Sequence, residues 1–220
     1  MQPGKQSDNS PRSTGTGLVG ATSYQAPQRC WQPAIGRLVA GAAATSMPLL
    51  GGRYRRALAA AASRVPRRRI DAVVGNPGRE VRQGFELASP IPAPLQSLAV
   101  AINEQLNRTL VSLSPPPSPA FAFNEWRLQY YPVAGCGISP HRDHRAYRHL
   151  VAIVVLAGRA RFLVCDDRDG RGARAVMALP GWLILMRATG FAGSSSRPFH
   201  AVLDVERPRW MLGLRCLGQA

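Results

Sequence analysis

The second half of the chain is a series of short apolar runs, each bounded by glycine, proline or aspartate. From Phe121 onward these runs are five to eight residues long and follow one another closely. Short strands at such regular spacing predict an antiparallel barrel or a double sheet. The runs cover residues 126–132, 150–157, 161–165, 173–179, 182–186, 200–204 and 209–216.

The rest of the chain divides by composition. Residues 1–33 are rich in Gly, Ser, Thr, Pro and Gln without periodicity, which predicts a disordered tail. Residues 34–90 form an Arg- and Ala-rich annex, in which one helix over 35–65 ends at Pro66 and a tight turn follows at 75–78. Residues 91–220 are the main domain, with a leading helix. The expected class is therefore mainly β (α+β), with an N-terminal helical annex.

The leading helix is predicted by its periodicity. Pro92 and Pro94 open it, and the proline run at 115–117 closes it. Its apolar residues recur at three- and four-residue spacing. They are Leu95, Leu98, Ile102, Leu106 and Leu110.

Several protein classes are excluded by composition. With 45% apolar residues the chain is not disordered throughout, and its longest apolar run, 150–157, is too short for a membrane span of about 20 residues. The N-terminal residues lack the apolar core of a secretory signal. Four cysteines without C-x-x-C spacing fit a reducing compartment. We expect a cytoplasmic monomer without a membrane partner.

The positive charge is concentrated at the N-terminal end. Of a net charge of +16, residues 1–70 carry eleven basic groups and one acid, whereas the remaining 150 residues carry seventeen basic groups and eleven acids. Such a segment attracts phosphate polyanions, so nucleic acid is a possible partner. A solvated surface, or a coding bias towards arginine, explains the same residues. The densest cluster, a possible nucleic-acid arm, is Arg53, Arg55, Arg56, Arg67, Arg68 and Arg69.

A metal site is indicated by the few histidines. His141 and Asp143 are two residues apart, so on an extended segment both side chains point to the same side. His200 begins a later strand. Two histidines and one carboxylate on one face of a metal leave three positions open, as in non-haem Fe(II) oxygenases.

An anion site is indicated by two arginines on the last strand. Arg209 and Arg215 share one face with Met211, while the opposite face is apolar. A guanidinium group inside a barrel needs an anion, and its planar fork suits a carboxylate. A dicarboxylate cosubstrate beside an iron ion would supply one.

These residues resemble the AlkB-like branch of the Fe(II)/2-oxoglutarate dioxygenases over about residues 66–216. The motifs occur in the order of that family. They are the Pro92-x-Pro94 helix, Phe123-Asn124, Gln129-Tyr130-Tyr131 in place of N-x-Y, the 135–140 segment before H-x-D, the Pro180-Gly181 turn with its following strand, His200-Ala-Val, and the R-x5-R pair.

The resemblance implies a double-stranded β-helix (jelly-roll) core that uses Fe(II), 2-oxoglutarate and O2. His141, Asp143 and His200 would ligate the iron. The resemblance also implies four cosubstrate residues. Arg209 would pair with the distal carboxylate, and Arg215 and Tyr131 would line the pocket. Gln129 stands where the family usually has Asn.

Two departures from the family pattern leave the substrate open. DNA-repair members carry lid tyrosines after a turn like 75–78, but here only Phe85 is available to stack on a base. Met211 replaces an Asn near the cosubstrate. The substrate is therefore an alkylated nucleic acid that is demethylated, or a small molecule, peptide or protein side chain that is hydroxylated. A third hypothesis, from another class, is a metal-free β-barrel that binds nucleic acid.

Overall fold

The computed structural model describes residues 28–133 and 137–218. Three α-helices, a single 3-10 turn and eleven strands follow one another in this part of the chain. In chain order they are α1 (Gln28–Val39), β1 (Ala44–Pro48), α2 (Gly52–Ser63), β2 (Arg67–Arg69), β3 (Val73–Val74), β4 (Val81–Arg82), β5 (Glu86–Ala88), α3 (Ala93–Val111), β6 (Glu125–Tyr131), β7 (Ile138–His141), β8 (Tyr147–Cys165), β9 (Arg174–Val176), β10 (Trp182–Arg187), the 3-10 turn (Phe191–Gly193) and β11 (Phe199–Leu217).

Two long antiparallel strands, β8 and β11, each take part in two layers. One half of each strand belongs to the larger layer, with the order β1-β10-β8-β11-β6-β5-β2. The other halves pair with β9 and β7 to form the smaller layer. The register between β8 and β11 breaks between Leu203 and Trp210, where the strands pass from one layer to the other. This arrangement is the expected jelly roll.

A glycine permits the close approach at this crossing. Gly158 has a φ of +85°, and a Cβ there would lie 2.1 Å from the carbonyl oxygen of Pro208 and 2.4 Å from the Cα of Arg209. Any side chain would therefore push β11 away. The position of Arg209 depends on this contact.

The larger layer separates two apolar cores. The helices pack on its outer face, in a core that includes Leu98 of α3 and Leu212 of β11. Its inner face meets the smaller layer in a second core, which includes Ile153, Phe162 and Met211. Met211 and Leu212 are adjacent on β11 but lie in different cores, so the predicted alternation along this strand is confirmed. The inner core surrounds the cavity described below.

The annex residues share a core with the main domain. The predicted single helix over 35–65 is wrong, because the chain leaves α1 through Gly41 (φ +104°) and forms β1 before α2 begins. β1 pairs with β10 at the edge of the larger layer. Trp31 on α1 and Leu58 on α2 are buried in the helix-facing core. The two helices therefore cover the outer face of the jelly roll.

The predicted tail extends too far towards the C-terminus. α1 begins at Gln28, so residues 28–33 are helical. The predicted tail residues 1–27 lie outside the described part of the chain. No helix within 28–133 and 137–218 has the length and apolar character needed to cross a membrane.

The structure contains the predicted leading helix and the predicted short strands, but it joins some of these strands and adds another. α3 covers the predicted leading helix, and its five predicted apolar positions are all buried. The runs 150–157 and 161–165 belong to the single strand β8, and 200–204 and 209–216 belong to β11. β7 is not among the predicted strands, although it carries His141.

Candidate metal centre and its cavity

Three potential metal ligands meet on the smaller layer. The register of β7 and β11 places His141 opposite His200, and Asp143 follows two residues after β7 ends. The two imidazole rings are 4.2 Å apart between centroids, and His200 Nε2 lies 4.0 Å from Asp143 Oδ2. One ligand atom from each side chain lies within 4.8 Å of the others. The structure thus brings the predicted triad together.

The backbone orients both imidazole rings. His141 Nδ1 lies 2.9 Å from the carbonyl oxygen of Ser139, and His200 Nδ1 lies 3.3 Å from that of Pro198. A carbonyl oxygen only accepts, so each Nδ1 carries the hydrogen and each Nε2 is left to face the metal position. Such contacts hold the ring and tautomer of a metal-binding histidine. Arg197 adds support by donating to the backbone oxygen of Asp143 at 2.7 Å.

The electrostatics keep these groups ready to bind a cation. Burial, together with the neighbouring His200, lowers the pKa of His141 to about 4, so its imidazole is neutral at neutral pH. Burial alone would raise the pKa of Asp143, but its neighbours, with His200 and Arg215 the strongest among them, together hold that pKa below its usual value. A neutral imidazole and an ionised carboxylate are the forms that ligate metals.

The triad lines a cavity of about 450 Å³ between the two layers. This volume is within the usual range for a small-molecule site. Tyr131 and Gln129 of β6, Arg215 of β11 and Phe162 of β8 also line it. Three of the four predicted cosubstrate residues therefore share the cavity with the triad.

The fourth, Arg209, lies directly opposite Tyr131 in the pairing of β11 with β6. It is fully buried, and none of its three guanidinium nitrogens has a hydrogen-bond partner among the described residues. Burial lowers its pKa to about 10. A buried cation without a partner is costly, so this group fits an anionic ligand.

Burial also dominates the chemistry of Tyr131. It raises the pKa of the phenol to about 12, although Arg209 and Arg215 act in the opposite direction. The hydroxyl group therefore stays protonated at neutral pH and can donate a hydrogen bond. Gln129 is likewise buried, and its Oε1 has no partner among the described residues.

The structure shows a polar network at the cavity that the sequence analysis does not predict. Glu125 Oε1 accepts a hydrogen bond from the Tyr147 hydroxyl at 2.8 Å and pairs with Arg127 Nε at 2.6 Å. All three residues line the cavity. In the sequence of β6, the polar residues Glu125 and Arg127 alternate with the apolar residues Trp126 and Leu128. This alternation is the one sequence pattern that points to Glu125 and Arg127 as cavity-facing residues.

The remaining histidines lie outside the ligand cluster. His144 is exposed, and its Nδ1 accepts a hydrogen bond from the Ala146 amide at 3.3 Å. His149 contacts Ser118 Oγ at 2.8 Å and stacks on Phe121. Neither contributes a ligand atom to the triad.

The six arginines of the possible nucleic-acid arm lie on two separate elements, α2 and β2. Arg55 donates to the carbonyl oxygen of Leu156 at 2.9 Å, and Arg67 pairs with Glu86 and covers the ring of Tyr130. These two have structural partners within the fold. The other four are exposed and do not line the cavity: Arg53, Arg56, Arg68 and Arg69.

Comparisons with known proteins agree on the fold. The sequence matches no protein-family model and no curated protein. A prolyl-4-hydroxylase from Pseudomonas putida matches the structure with a TM-score of 0.60 and 18% identity, over 91% of this chain and 100% of that one. A prolyl hydroxylase from Trichoplax adhaerens, in complex with a peptide fragment of hypoxia inducible factor, matches with a TM-score of 0.56 and 13% identity, over 86% and 90%.

A third structure, an oxidoreductase of the 2OG-Fe(II) oxygenase family from Burkholderia pseudomallei, has a TM-score of 0.53 and 11% identity, over 88% of this chain and 91% of that one. At such low identities the similarity shows the fold alone. It supports the predicted jelly-roll fold and does not single out the AlkB-like branch.

Proposed function

We propose that this protein is an Fe(II)- and 2-oxoglutarate-dependent dioxygenase. The observation that carries the proposal is the convergence of His141, Asp143 and His200 in a jelly-roll cavity. Two imidazoles and one carboxylate on one side of a metal leave positions open for a cosubstrate and dioxygen. Bound there, Fe(II) with 2-oxoglutarate and O2 supplies the oxidation of a substrate C–H bond, with succinate and carbon dioxide as coproducts.

The unpartnered guanidinium group of Arg209 supports the identity of the cosubstrate. A dicarboxylate that approaches the triad with one end can place its other carboxylate against Arg209. Tyr131 faces Arg209 across the strand pair and keeps its proton, so it can donate to the same carboxylate. Gln129 lies two residues away on the same face of β6 and offers a further polar contact.

The surroundings of Phe85 favour hydroxylation over nucleobase demethylation. This ring, the one aromatic side chain that the sequence offered as a base platform, is buried and packs on Tyr131 with centroids 5.3 Å apart. Because the ring packs on Tyr131 and only 8% of the residue is exposed, it is poorly placed to stack on a flipped base. This favours a small molecule, a peptide or a protein side chain as the substrate, and one neighbour of the same fold is in complex with a peptide.

The proposal is tested by 2-oxoglutarate turnover. With Fe(II) and O2 the wild-type chain should convert 2-oxoglutarate to succinate, slowly when no substrate is present. Asp143→Ala should abolish this conversion, whereas Asp169→Ala, which changes an exposed turn carboxylate, should retain it. If wild type and Asp143→Ala yield equal succinate, the proposal is wrong. A metal-free nucleic-acid-binding barrel would yield none with any variant.

A further inference from the structure

Four arginines from three segments of the chain cluster near Phe199 at the mouth of the metal cavity. The guanidinium carbons of Arg142 and Arg168 lie 4.2 Å and 5.8 Å from the centroid of the Phe199 ring. Burial, followed by the positive charges of Arg142 and Arg145, lowers the pKa of Arg197, so these charges are close enough to repel one another. We call this cluster the arginine rim: Arg142, Arg145, Arg168 and Arg197.

Contacts within the fold hold three of these guanidinium groups in place. Arg197 donates to the backbone oxygen of Asp143 at 2.7 Å. Arg168 donates to two backbone oxygens at the turn between β3 and β4, at 3.1 Å and 3.3 Å. Arg142 rests on the Phe199 ring. An arginine that is already ordered loses less conformational freedom when it binds an anion.

No carboxylate among the described residues forms an ion pair with the arginine rim. Asp143 belongs to the metal triad. Asp166 and Asp167, on the same turn as Arg168, pair with other arginines. Glu80 offers Arg168 its backbone oxygen, and its carboxylate is outside every ion pair in the described part of the chain. The rim therefore carries positive charge that the fold does not neutralise, and this charge attracts anions to the mouth of the cavity.

The position of the arginine rim favours an extended ligand over a small one. Of the four arginines only Arg142 lines the cavity, so a small molecule buried there would reach Arg142 alone. Arg145 is exposed on the surface near the cavity. An extended peptide advances about 3.3 Å per residue, so carboxylates at several positions can contact the rim while one side chain enters the cavity.

A nucleic acid would bring phosphates to the same arginines, but the site offers it no free stacking surface. A base that enters a pocket for chemistry leaves its stack and is held between aromatic or apolar side chains. The guanidinium group of Arg142 covers Phe199. The phenylalanine and tyrosine rings in the described lining of the cavity are all buried: Phe85, Tyr131, Tyr147 and Phe162.

We infer that the substrate is an acidic segment of a peptide or protein, whose Asp and Glu side chains bind the arginine rim while the reacting side chain faces the metal. This inference rests on the proposed function and names the substrate class for that site. A carboxylate matches the planar donors of a guanidinium group. Because one exposed ion pair contributes little, several carboxylates must bind together.

Matched peptides test the inference on the full chain loaded with Zn(II) and saturating 2-oxoglutarate. Fluorescent decapeptides of alternating Glu and Gly, and of alternating Gln and Gly, are titrated by fluorescence anisotropy. We expect the acidic peptide to bind saturably and the neutral peptide not to bind. N-acetylglutamate should compete only weakly, because a single small acid does not span the rim. Equal binding of the acidic and neutral peptides would overturn the inference.

Two double variants separate the arginine rim from the net charge of the chain. Arg142→Gln with Arg145→Gln removes two exposed rim charges and should weaken binding of the acidic peptide about threefold to thirtyfold. Arg64→Gln with Arg108→Gln removes the same charge from exposed positions on the helical side, and should change the affinity less than about twofold. Equal weakening by both double variants would overturn the inference.

Mn(II) in place of Zn(II) reports where the acidic peptide lies. With saturating 2-oxoglutarate the proton resonances of the bound peptide should broaden, because a paramagnetic ion relaxes nearby protons. Binding without broadening would place the peptide away from the metal and overturn the inference, as would tighter binding of a single-stranded oligonucleotide of equal charge.

Succinate formation separates this inference from the proposed function. If the chain converts 2-oxoglutarate to succinate but does not bind the acidic peptide, the inference fails and the proposed function stands. If no succinate forms, the proposed function fails, and the peptide titration still decides whether the arginine rim binds acidic segments.

Discussion

Replacing Arg209 with methionine should stabilise the unliganded protein and weaken 2-oxoglutarate binding. Burial lowers the pKa of Arg209 from its ordinary value of 12.5 to about 10. At about 1.4 kcal/mol per pKa unit, the charged form is disfavoured in the folded state by about 3 kcal/mol. Methionine has a similar length and needs no partner, so Arg209→Met removes this penalty.

The expected size of both effects follows from the burial. For a chain of this length, about 3 kcal/mol corresponds to a rise in Tm of up to about 10 °C. The penalty is present at every pH below about 10, so the gain should be constant between about pH 6 and 9. Loss of one partner of a buried ion pair weakens binding by about 2–5 kcal/mol, or roughly thirtyfold to several thousandfold for 2-oxoglutarate.

Thermal unfolding with and without Zn(II) and 2-oxoglutarate measures both effects, and calorimetry gives the affinity. Arg207→Met is the matched control, because Arg207 is exposed and only two residues away. It should leave 2-oxoglutarate affinity unchanged. A variant Arg209→Met that is less stable without ligand, yet binds 2-oxoglutarate like wild type, would refute the reasoning.

Three further predictions concern the cavity wall and the fold. Tyr131→Phe should weaken 2-oxoglutarate binding about tenfold or more, as measured by calorimetry. The loss should be the same at about pH 7 and at about pH 9, because a phenol with a pKa of about 12 is protonated at both. Gly158→Ala should lower the free energy of unfolding, measured in urea, by about 2–5 kcal/mol. Gly193→Ala should lower it less, because a Cβ at Gly193 would meet open space. Deletion of residues 1–65 removes β1 and Trp31, so near-UV circular dichroism should show no cooperative transition; a cooperative one would contradict the shared core.

Local patterns in the sequence predict the parts of the site that lie on one strand or directly after it. The two-residue spacing of His141 and Asp143, and the alternation of Met211 with its neighbours, are properties of an extended backbone. The same alternation predicts that Arg209 and Arg215 share one face of β11. These features need no knowledge of distant neighbours.

Features that depend on distant pairing were missed. The alanine-rich segment 35–65 favours a helix locally, yet β1 forms there because β10, far along the chain, supplies its hydrogen bonds. The network of Glu125, Arg127 and Tyr147 joins two strands, β6 and β8, and no spacing in the sequence indicates that they meet. The burial of Phe85 on Tyr131 likewise arises only in the folded chain.

The most direct test of the central claim is the visible absorption of the anaerobic protein with Fe(II) and 2-oxoglutarate. A chelated complex at the triad should give a weak charge-transfer band that saturates at one Fe(II) per chain. His200→Ala should lose the band, and His144→Ala, which alters an exposed histidine outside the triad, should keep it. A wild-type chain without the band, or a His200→Ala variant with an unchanged band, would contradict the assignment of His141, Asp143 and His200 as the iron ligands.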